Sequence, residues 1–302
     1  MCQLNNKVII VTGGSGLLGK NHCDAIKTAG GIPIVWDKVS HPVYESYTVD
    51  VTNKEAVIST LDTVIKKHVA VYGLVNNVAN DPKVPGIFGI LPNVAWTSIG
   101  PIDVNELAEK INENKIKGAA IRVFSLDKFP SLLDYVSLTD VRIADASRVR
   151  LGAYLGAGTT VMHEGFVNFN AGTLGEAMVE GRISQGVVVG ENSDIGGGAS
   201  TMGTLSGGND IKISIGRNCL LGANSGLGIP LGDRRTVEAG LYLTSGAKVE
   251  MLDETGKIVK SLKAKELANK TDLLFIRNSL TGAIQCKKNL NVNKLNEDLH
   301  DN

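Results

Sequence analysis

Aliphatic residues recur at nearly every sixth position between residues 141 and 251. A period of six differs from the 3.6-residue period of a helix and from the simple alternation of a strand. It predicts a left-handed parallel β-helix of hexapeptides, in which each sixth side chain points into a narrow prism. A β-sandwich is the alternative, and ladders in phase with one another disfavour it. The four ladders are Ile143, Val149, Leu155, Val161 and Val167; Ile183, Val189 and Ile195; Ile215, Leu221 and Leu227; and Leu231, Val237, Leu243 and Val249.

Two interruptions of the six-residue period are predicted to leave the prism as loops. The first is the polar run 168–182, and the second is the glycine-rich run 202–210. Loops that leave a rigid scaffold often carry chemistry, because they can place polar groups without disturbing the core. We therefore expect functional side chains in the first run.

The N-terminal part follows a different pattern, in which apolar strands alternate with amphipathic helices. An apolar strand at 7–12 precedes a glycine-rich turn, and the pattern then predicts a helix to Thr28 and a strand at 32–36. Backbone amides in such a turn, backed by a helix N-terminus, can hold a pyrophosphate, and the acidic residue after the second strand can accept ribose hydroxyls. The candidate nucleotide-binding residues are Gly13, Gly16, Gly19 and Asp37.

This front, over about residues 5–80, resembles a truncated short-chain dehydrogenase/reductase, with Asn76-Asn77-Val78-Ala79 ending its fourth predicted strand. The resemblance implies a partial Rossmann-like fold. That family's chemistry needs a Tyr with a Lys four residues later, and no Tyr of this chain has one. The resemblance makes an NAD-linked oxidoreductase the second function to consider. Because the Tyr/Lys pair is absent, we do not expect NAD as a cofactor.

Four segments follow from these patterns: 1–85, Rossmann-like; 86–140, a small α/β lead-in; 141–251, the β-helix; and 252–302, a C-terminal segment. Pro and Gly residues at 81–86 mark the first boundary. In the lead-in we expect a helix from Asp103 to Asn114 and a strand at 119–124. After the β-helix we expect a charged, partly helical run at 257–270 and a closing strand at 273–279.

Composition excludes several classes of protein. Lys plus Arg and Asp plus Glu both number 31, so no basic field favours nucleic acid. The four cysteines are widely spaced without a CxxC motif, which predicts reduced thiols in a cytoplasmic protein. No apolar run approaches the roughly 20 residues of a membrane span, so we expect no membrane partner.

Residues 86–302 closely resemble the tetrahydrodipicolinate N-succinyltransferases, in their actinobacterial-type branch. The segments that carry this resemblance are 162–175, 178–184, 196–200, 203–208, 220–228, 238–242 and 295–300. It implies transfer of a succinyl group from succinyl-CoA to the amino group of the ring-opened substrate, a step toward diaminopimelate and lysine. It also implies small-molecule substrates and a homotrimer.

The resemblance assigns roles to individual residues. Glu180 matches the family's catalytic glutamate, either as a base or as a transient acyl carrier. Matches to substrate- and CoA-binding positions are Arg182, Gly197, Ser200, Ala223, Glu238, Ala239, Gly246, Lys263, Arg277, Asn278 and Ser279. Glycine-rich corners would supply the backbone amides that stabilise an oxyanion.

A metal and a non-catalytic role are further possibilities. The family can bind a divalent cation, possibly magnesium, on its threefold axis through an Asp and a Glu; Glu164 matches the Glu, and Ser147 stands at the Asp position. His163 has the residue type of a base, and a structural role is favoured for it. A trimeric scaffold that binds CoA without turnover is the third function to consider.

Overall fold

The computed structural model describes residues 4–51, 53–76, 91–203 and 212–290. The predicted boundary at 81–86, most of the second interruption and the polar tail at 295–302 lie outside these residues. In the part described, no helix is long and apolar enough to cross a bilayer.

The N-terminal segment forms one parallel sheet with two helices. Its strands lie side by side in the order β3-β2-β1-β4. Both long central strands are buried, which explains their continuous apolar sequence. The elements are β1 (Val8–Thr12), α1 (Leu17–Thr28), β2 (Ile32–Asp37), β3 (Ser46–Thr48), α2 (Lys54–His68) and β4 (Gly73–Asn76).

The lead-in is a small antiparallel sheet of three strands with one helix. Its elements are β5 (Val94–Thr97), β6 (Gly100–Asp103), α3 (Leu107–Ile116) and β7 (Val123–Asp127), and its strand order is β6-β5-β7. The prediction that Asp103 caps the helix was wrong, because Asp103 ends β6 opposite Val94. The strand predicted at 119–124 is also shifted, because pairing with β5 places it at Val123–Asp127.

The stretch 141–251 winds into a prism of short parallel strands, and the predicted β-helix is confirmed in its repeat. Successive strands visit three sheets in turn, each strand pairing with the one a coil above. Sheet 1 begins with β8 (Arg142–Ile143), β10 (Thr159–Val161), β13 (Ala177–Val179), β16 (Ser193–Ile195), β19 (Leu220–Leu221) and β21 (Thr236–Val237). Sheet 2 contains β11 (Phe166–Val167), β14 (Arg182–Ile183), β17 (Ser200–Thr201), β20 (Gly226–Leu227) and β22 (Tyr242–Leu243), and sheet 3 contains β9 (Tyr154–Leu155), β12 (Gly172–Thr173), β15 (Val188–Val189) and β18 (Ser214–Ile215).

The first predicted loop does not exist, because residues 168–182 continue the coil. The six-residue count passes through Thr173, a buried polar rung, and reaches Val179. The phase then changes because the next inward residue, Ile183, follows after four positions instead of six. The interruption is therefore a corner shortened by two residues, and Glu180 lies in that corner. The spacing between Leu227 and Leu231 repeats the shortening higher up.

The C-terminal segment closes the top of the prism. It contains β23 (Lys248–Leu252), β24 (Ile258–Lys263), β25 (Leu273–Arg277) and β26 (Ile284–Lys288). The closing strand predicted at 273–279 is observed as β25, and it extends sheet 1 by pairing with β21. The helical prediction for 257–270 was largely wrong: β24 pairs with β23, and only a short 3₁₀ turn follows at Ala264–Leu267.

One aromatic contact joins the N-terminal segment to the prism. The ring of His22 in α1 meets the edge of Tyr154 in sheet 3, with the ring centroids 5.9 Å apart. Nε2 of His22 is buried without a hydrogen-bond partner among the described residues, and burial lowers the pKa of this histidine to about 4. The contact therefore requires a neutral imidazole.

Candidate active site

Most of the predicted site residues lie along one edge of the prism. We call this edge, formed where sheet 1 turns into sheet 2, the glycine edge; it consists of residues 162–165, 180–181, 196–199, 222–225 and 238–241. The strand register stacks its corners, since Val179 pairs with Ile195, Ile195 with Leu221 and Leu221 with Val237. Glu180 therefore stands below Gly197, Ala223 and the pair Glu238-Ala239.

Close stacking of the coils explains why glycine occupies this edge. A Cβ on Gly196 would lie 2.6 Å from the carbonyl oxygen of Leu221, and one on Gly222 would lie 2.5 Å from the amide nitrogen of Ala239. Neither position can carry a side chain without moving the backbone. The result is a narrow, nearly side-chain-free strip of backbone that a slender ligand could lie against.

Backbone amides along this strip are available to a ligand. Within the described residues, the N–H groups of Gly197, Ala223 and Ala239 donate to no protein acceptor. They occupy equivalent places on three successive coils, so they form a column of donors. Such a column suits the carbonyl groups of an extended amide-containing chain, or an oxyanion.

The shortened corner makes a notch in the glycine edge. The amides of Glu180 and Gly181 both donate to the carbonyl oxygen of Ile195, at 2.9 and 3.0 Å, which draws the backbone inward. A Cβ on Gly181 would lie 2.4 Å from the carbonyl oxygen of Ala199, so the notch also requires glycine. The half-buried side chain of Glu180 reaches upward, and its Oε2 lies 3.4 Å from the place where a Cβ of Gly197 would be.

A second polar group lies on sheet 2 directly beside the notch. Nε and Nη2 of Arg182 donate to Oγ of Ser200 at 3.2 and 2.6 Å, and the hydroxyl is buried beneath the guanidinium. The ring of Tyr242, two coils above Ser200, lies over Gly226. A Cβ added at Gly226 would be 2.3 Å from this ring. Because Ser200 fixes the orientation of Arg182, the exposed guanidinium is prepared to bind an anion.

A second carboxylate, Asp194, stands near Glu180. It lies on β16 with its Cα paired to Met178 below and Leu220 above. Burial and, second, the negative charge of Glu180 raise the pKa of Asp194 to about 6. The notch therefore combines two carboxylates whose environments differ.

The upper end of the glycine edge is tied to the closing strand. Oε2 of Glu238 accepts the backbone N–H of Arg277 at 2.6 Å, and Nη2 of Arg277 reaches the carbonyl oxygen of Gly240 at 3.4 Å. Asn278 is half-buried and accepts two turn amides with its side chain, while Ser279 is exposed. The structure thus brings Glu238, Arg277 and Asn278 together at the top of the edge.

Two predicted residues lie away from the glycine edge, at the turn between β22 and β23. Gly246 is in the corner after β22, and Lys263 is beside it because Ala264 donates to the carbonyl oxygen of Ala247 at 2.9 Å. Lys263 also stands directly opposite Lys248 in the β23–β24 pair. Like charges facing one another disfavour the fold, and a bound anion would relieve that cost. One chain therefore divides the predicted residues between the glycine edge and the turn between β22 and β23.

At the lower end of the glycine edge, both residues that match the family's cation positions have partners within the chain. Glu164 accepts from Nη2 of Arg148 at 3.2 Å and contacts Nδ1 of His163 at 2.7 Å. The hydroxyl of Ser147, at the position expected for an Asp, donates to Asp145 at 2.7 Å. Among the described residues no group of three His, Cys, Asp or Glu side chains could hold a metal ion. The exposed His163 thus pairs with a carboxylate, in keeping with a structural role.

The N-terminal glycine turn leads into α1, and the carboxylate predicted to bind ribose accepts two backbone N–H groups. Gly13 has a φ of 62°, which favours glycine, and Gly16 caps α1. Asp37 accepts the backbone N–H of Ser15 at 3.0 Å and that of Lys38 at 2.7 Å. Gly19 is buried in α1. The His22 contact places this unit against sheet 3, whereas the glycine edge lies between sheets 1 and 2.

Sequence reasoning missed Asp194 and Tyr242 as members of the site. The sequence contained a signal for Asp194. Counting in sixes from Val167 leads through Thr173 to Val179, and the next coil places Ile195 above Val179. Asp194 directly precedes Ile195, so the same count places it beside the corner of Glu180. A polar rung concealed that count. Tyr242 follows from the same register, because it closes the column above Arg182.

Comparison with known proteins points to one class of enzyme. Residues 212–245 match the model for the hexapeptide repeat of succinyl-transferase, and residues 91–131 match the model for the middle segment of tetrahydrodipicolinate N-succinyltransferase. A protein of Pseudomonas putida named 2,3,4,5-tetrahydropyridine-2,6-dicarboxylate N-succinyltransferase is 58% identical over 245 residues, which are 81% of this chain and 71% of that protein. The protein of the same name from Vibrio cholerae is 62% identical over 217 residues, covering 72% of this chain and 63% of that protein.

A solved structure agrees with the sequence relatives. It is the crystal structure of a putative 2,3,4,5-tetrahydropyridine-2-carboxylate N-succinyltransferase from Campylobacter jejuni, with a TM-score of 0.62 and 34% identity over 91% of this chain and 71% of that one. The three-sheet prism and its repeat define a left-handed β-helix acyltransferase. Within that class, the chain belongs to the 2,3,4,5-tetrahydropyridine-2,6-dicarboxylate N-succinyltransferase family.

Proposed function

We propose that this protein transfers a succinyl group from succinyl-CoA to the amino group of ring-opened tetrahydrodipicolinate, a step toward diaminopimelate and lysine. The observation that carries the proposal is the notch at Glu180, set in a strip of backbone where the amides of Gly197, Ala223 and Ala239 have no acceptor among the described residues. Membership of the family supplies the substrates. The notch supplies a place where a carboxylate and amide donors meet.

The glycine edge suits the long, thin arm of CoA. A pantetheine chain contains two amides, and the column of free N–H groups can bind their carbonyl oxygens. The absence of side chains at Gly196 and Gly222 lets the arm approach the backbone closely. In this arrangement the arm descends along the edge and delivers the thioester to the notch.

Two sets of positively charged residues suit the anionic parts of the substrates. Arg182, oriented by Ser200, is placed to bind a carboxylate beside the notch. Lys263 and Lys248 at the cap, together with Arg277, Asn278 and Ser279, suit the phosphates of CoA. Each cation is exposed, so it can bind a ligand without first breaking a buried ion pair.

The reaction at the notch needs proton removal and oxyanion stabilisation. The acceptor's ammonium loses a proton, and the free amine forms a bond to the thioester carbonyl carbon. The amide of Gly197, directly above Glu180, is placed to donate to the resulting oxyanion. Collapse of the tetrahedral intermediate breaks the C–S bond and releases CoA. In this scheme Glu180 binds and orients the reacting amine.

We further propose a homotrimer acting in the cytoplasm. Support comes from the division of the predicted residues between the glycine edge and the turn between β22 and β23, since a neighbouring copy could bring Gly246 and Lys263 to the glycine edge of another chain. The described cysteines are free thiols, as expected in a reducing compartment. A molar mass from light scattering three times the 31.9 kDa of the chain would support the trimer, and a monomeric mass would refute it.

A thiol-release assay with succinyl-CoA and tetrahydrodipicolinate tests the function. Glu180→Gln should lower kcat by ~10² or more, because it removes the charge at the notch. Glu176→Gln is the matched control: this exposed glutamate lies on the same coil at the corner before β13, and its loss should leave kcat within about twofold. An unchanged rate in Glu180→Gln would remove Glu180 from its role, and no release by the wild type would reject the proposed function.

A further inference from the structure

Asp194 is an outward-facing carboxylate on an otherwise apolar part of sheet 1. The flanking residues Ser193 and Ile195 are fully buried toward the prism, so the alternation of the strand directs Asp194 outward. The side chains paired with it are Met178 on β13 and Leu220 on β19. Neither of those strands carries an ionisable residue. The environment is therefore poor in groups that would stabilise a negative charge.

The strand that holds Asp194 leads directly into the corner that faces Glu180. Ile195 accepts the amides of Glu180 and Gly181, and Gly197 stands against the Glu180 carboxyl group. Because Val179 pairs with Ile195, Glu180 directly follows and Asp194 directly precedes one paired position, on adjacent coils. Neither side chain has a hydrogen-bond or ion-pair partner within the described residues. A pair of unpartnered carboxylates is suited to bind a cationic group.

We propose that Asp194 is the general base of the reaction, taking the proton from the substrate's ammonium group while Glu180 holds that group by its charge. This inference deepens the proposed function and rests on it. The family resemblance assigns a catalytic role to one carboxylate, that of Glu180. The fold divides them between two residues, one on each of two neighbouring coils.

The protonation chemistry of the two carboxylates supports this division. Burial and the charge of Glu180 bring the pKa of Asp194 to about 6. A base is most effective when its pKa lies near the working pH, and an ordinary carboxylate is too weak a base at neutral pH. The other charged groups near β16, Glu191 and Arg217, pair with each other 3.8 Å apart at the corner that precedes the strand, away from the notch.

The proton and bond changes balance without any added reagent. One proton passes from the ammonium nitrogen to a carboxylate oxygen of Asp194, and the amine lone pair forms the C–N bond. The nitrogen loses its second proton as the intermediate collapses and the C–S bond breaks. The CoA thiolate takes up one proton and water takes the other, so each turnover releases one net proton and restores Asp194.

The pH dependence of kcat/KM tests the proposal. The wild type should show an acidic limb near pH 6, because protonated Asp194 cannot act as a base. Asp194→Asn should lower kcat at least 30-fold and abolish that limb, and Asp194→Glu should restore part of both. Glu180→Gln should move the limb of its residual activity to lower pH, because the repulsion that raises the Asp194 pKa is gone.

A matched variant and a binding measurement make the result specific. Glu191→Gln removes a carboxylate from the corner that leads into the same strand and should keep both the rate and the limb. Calorimetric binding of CoA to Asp194→Asn should match the wild type, which excludes a folding defect. An Asp194→Asn enzyme with the wild-type limb and a rate within about threefold would overturn the proposal while leaving the succinyltransferase function intact. If the wild type releases no thiol, the proposed succinyltransferase function is itself rejected.

Discussion

The carboxyl group of Glu180 lies in contact with the place where a side chain at position 197 would begin. Oε2 is the sole atom, among those described, within 4 Å of where a Cβ of Gly197 would lie, at 3.4 Å. Gly197 has no positive φ, so its backbone does not require glycine. A side chain larger than a methyl group at position 197 would meet the Glu180 carboxyl group, so the two residues form one unit across two coils.

Gly197→Val should lower turnover without unfolding the protein. The branched side chain meets the Glu180 carboxyl group and little else, so the carboxylate moves while the coil stays stacked. We expect kcat to fall by about tenfold or more, because a displacement of about 1 Å at a reacting group is costly. Gly197→Ala, at ordinary contact distance, should have a smaller effect. The melting temperature of each variant is the control, and wild-type kcat in Gly197→Val would contradict the stated relationship.

Arg182 and Ser200 should behave as one binding unit. Arg182→Ala should raise the KM for succinyl-CoA by about tenfold, in line with losing a charge-assisted hydrogen bond. Ser200→Ala should raise it by about threefold, because the guanidinium loses its 2.6 Å partner but keeps its charge. The double variant should resemble Arg182→Ala alone, and steady-state kinetics of all four proteins measures that coupling. Fully additive effects would show that Ser200 does not orient Arg182.

Substitutions at Thr173 and Thr159 test how a polar inward residue is tolerated inside the prism. Its hydroxyl lies 2.7 Å from that of Thr159, which also donates to the carbonyl oxygen of Gly175 at 2.8 Å. Thr173→Val replaces the rung with the residue type found at other levels and should change stability by less than about 1 kcal/mol. Thr159→Val removes the donor to Gly175 and should cost about 1–2 kcal/mol. Denaturant unfolding compares the two, and equal losses would contradict the bonding scheme.

Thr173 also shows how far the fold of this protein could be predicted from its sequence. Every aliphatic rung from Val149 to Val249 that periodicity predicted is buried, because an inward position is defined by spacing alone. The count failed at Thr173, where a hydroxyl satisfied by Thr159 occupies an inward position. That failure turned a shortened corner into a predicted loop.

The candidate site was predictable in its residues but not in their grouping. Glu180, Gly197 and Ala223 were chosen from a resemblance, and the register of the coils then placed them on one edge. Asp194 was not chosen, because Thr173 concealed the six-residue count that places Ile195, and with it Asp194, above the corner of Glu180. Likewise, Asp103 was a plausible helix cap by type, and pairing with Val94 made it the end of a strand.

Asp194→Asn should stabilise the protein at neutral pH even as it removes activity. The folded-state pKa of Asp194, about 6, lies above its ordinary value of 3.8, so folding favours the protonated form. The resulting penalty is absent below about pH 3.8, grows as the pH rises to 6, and is complete above that. After allowance for solvent screening we expect a gain of about 1–2 kcal/mol at pH 7.5 and almost none at pH 4. Denaturant unfolding at both pH values measures it, and a loss of stability at pH 7.5 would contradict a strained carboxylate.

His22 should make the contact between the N-terminal segment and the prism sensitive to acid. The pKa of His22 falls from 6.5 to about 4 on burial, so folding favours the neutral ring. Its stabilising contribution is therefore complete above pH 6.5 and is lost as the pH falls toward 4. We expect limited proteolysis to release the N-terminal segment faster at pH 5 than at pH 7.5. His22→Leu keeps an apolar contact with Tyr154 without a titrating group, so it should flatten this dependence. His163→Gln, which changes an exposed histidine, should retain the wild-type dependence, and an unaltered dependence in His22→Leu would assign the acid sensitivity to another group.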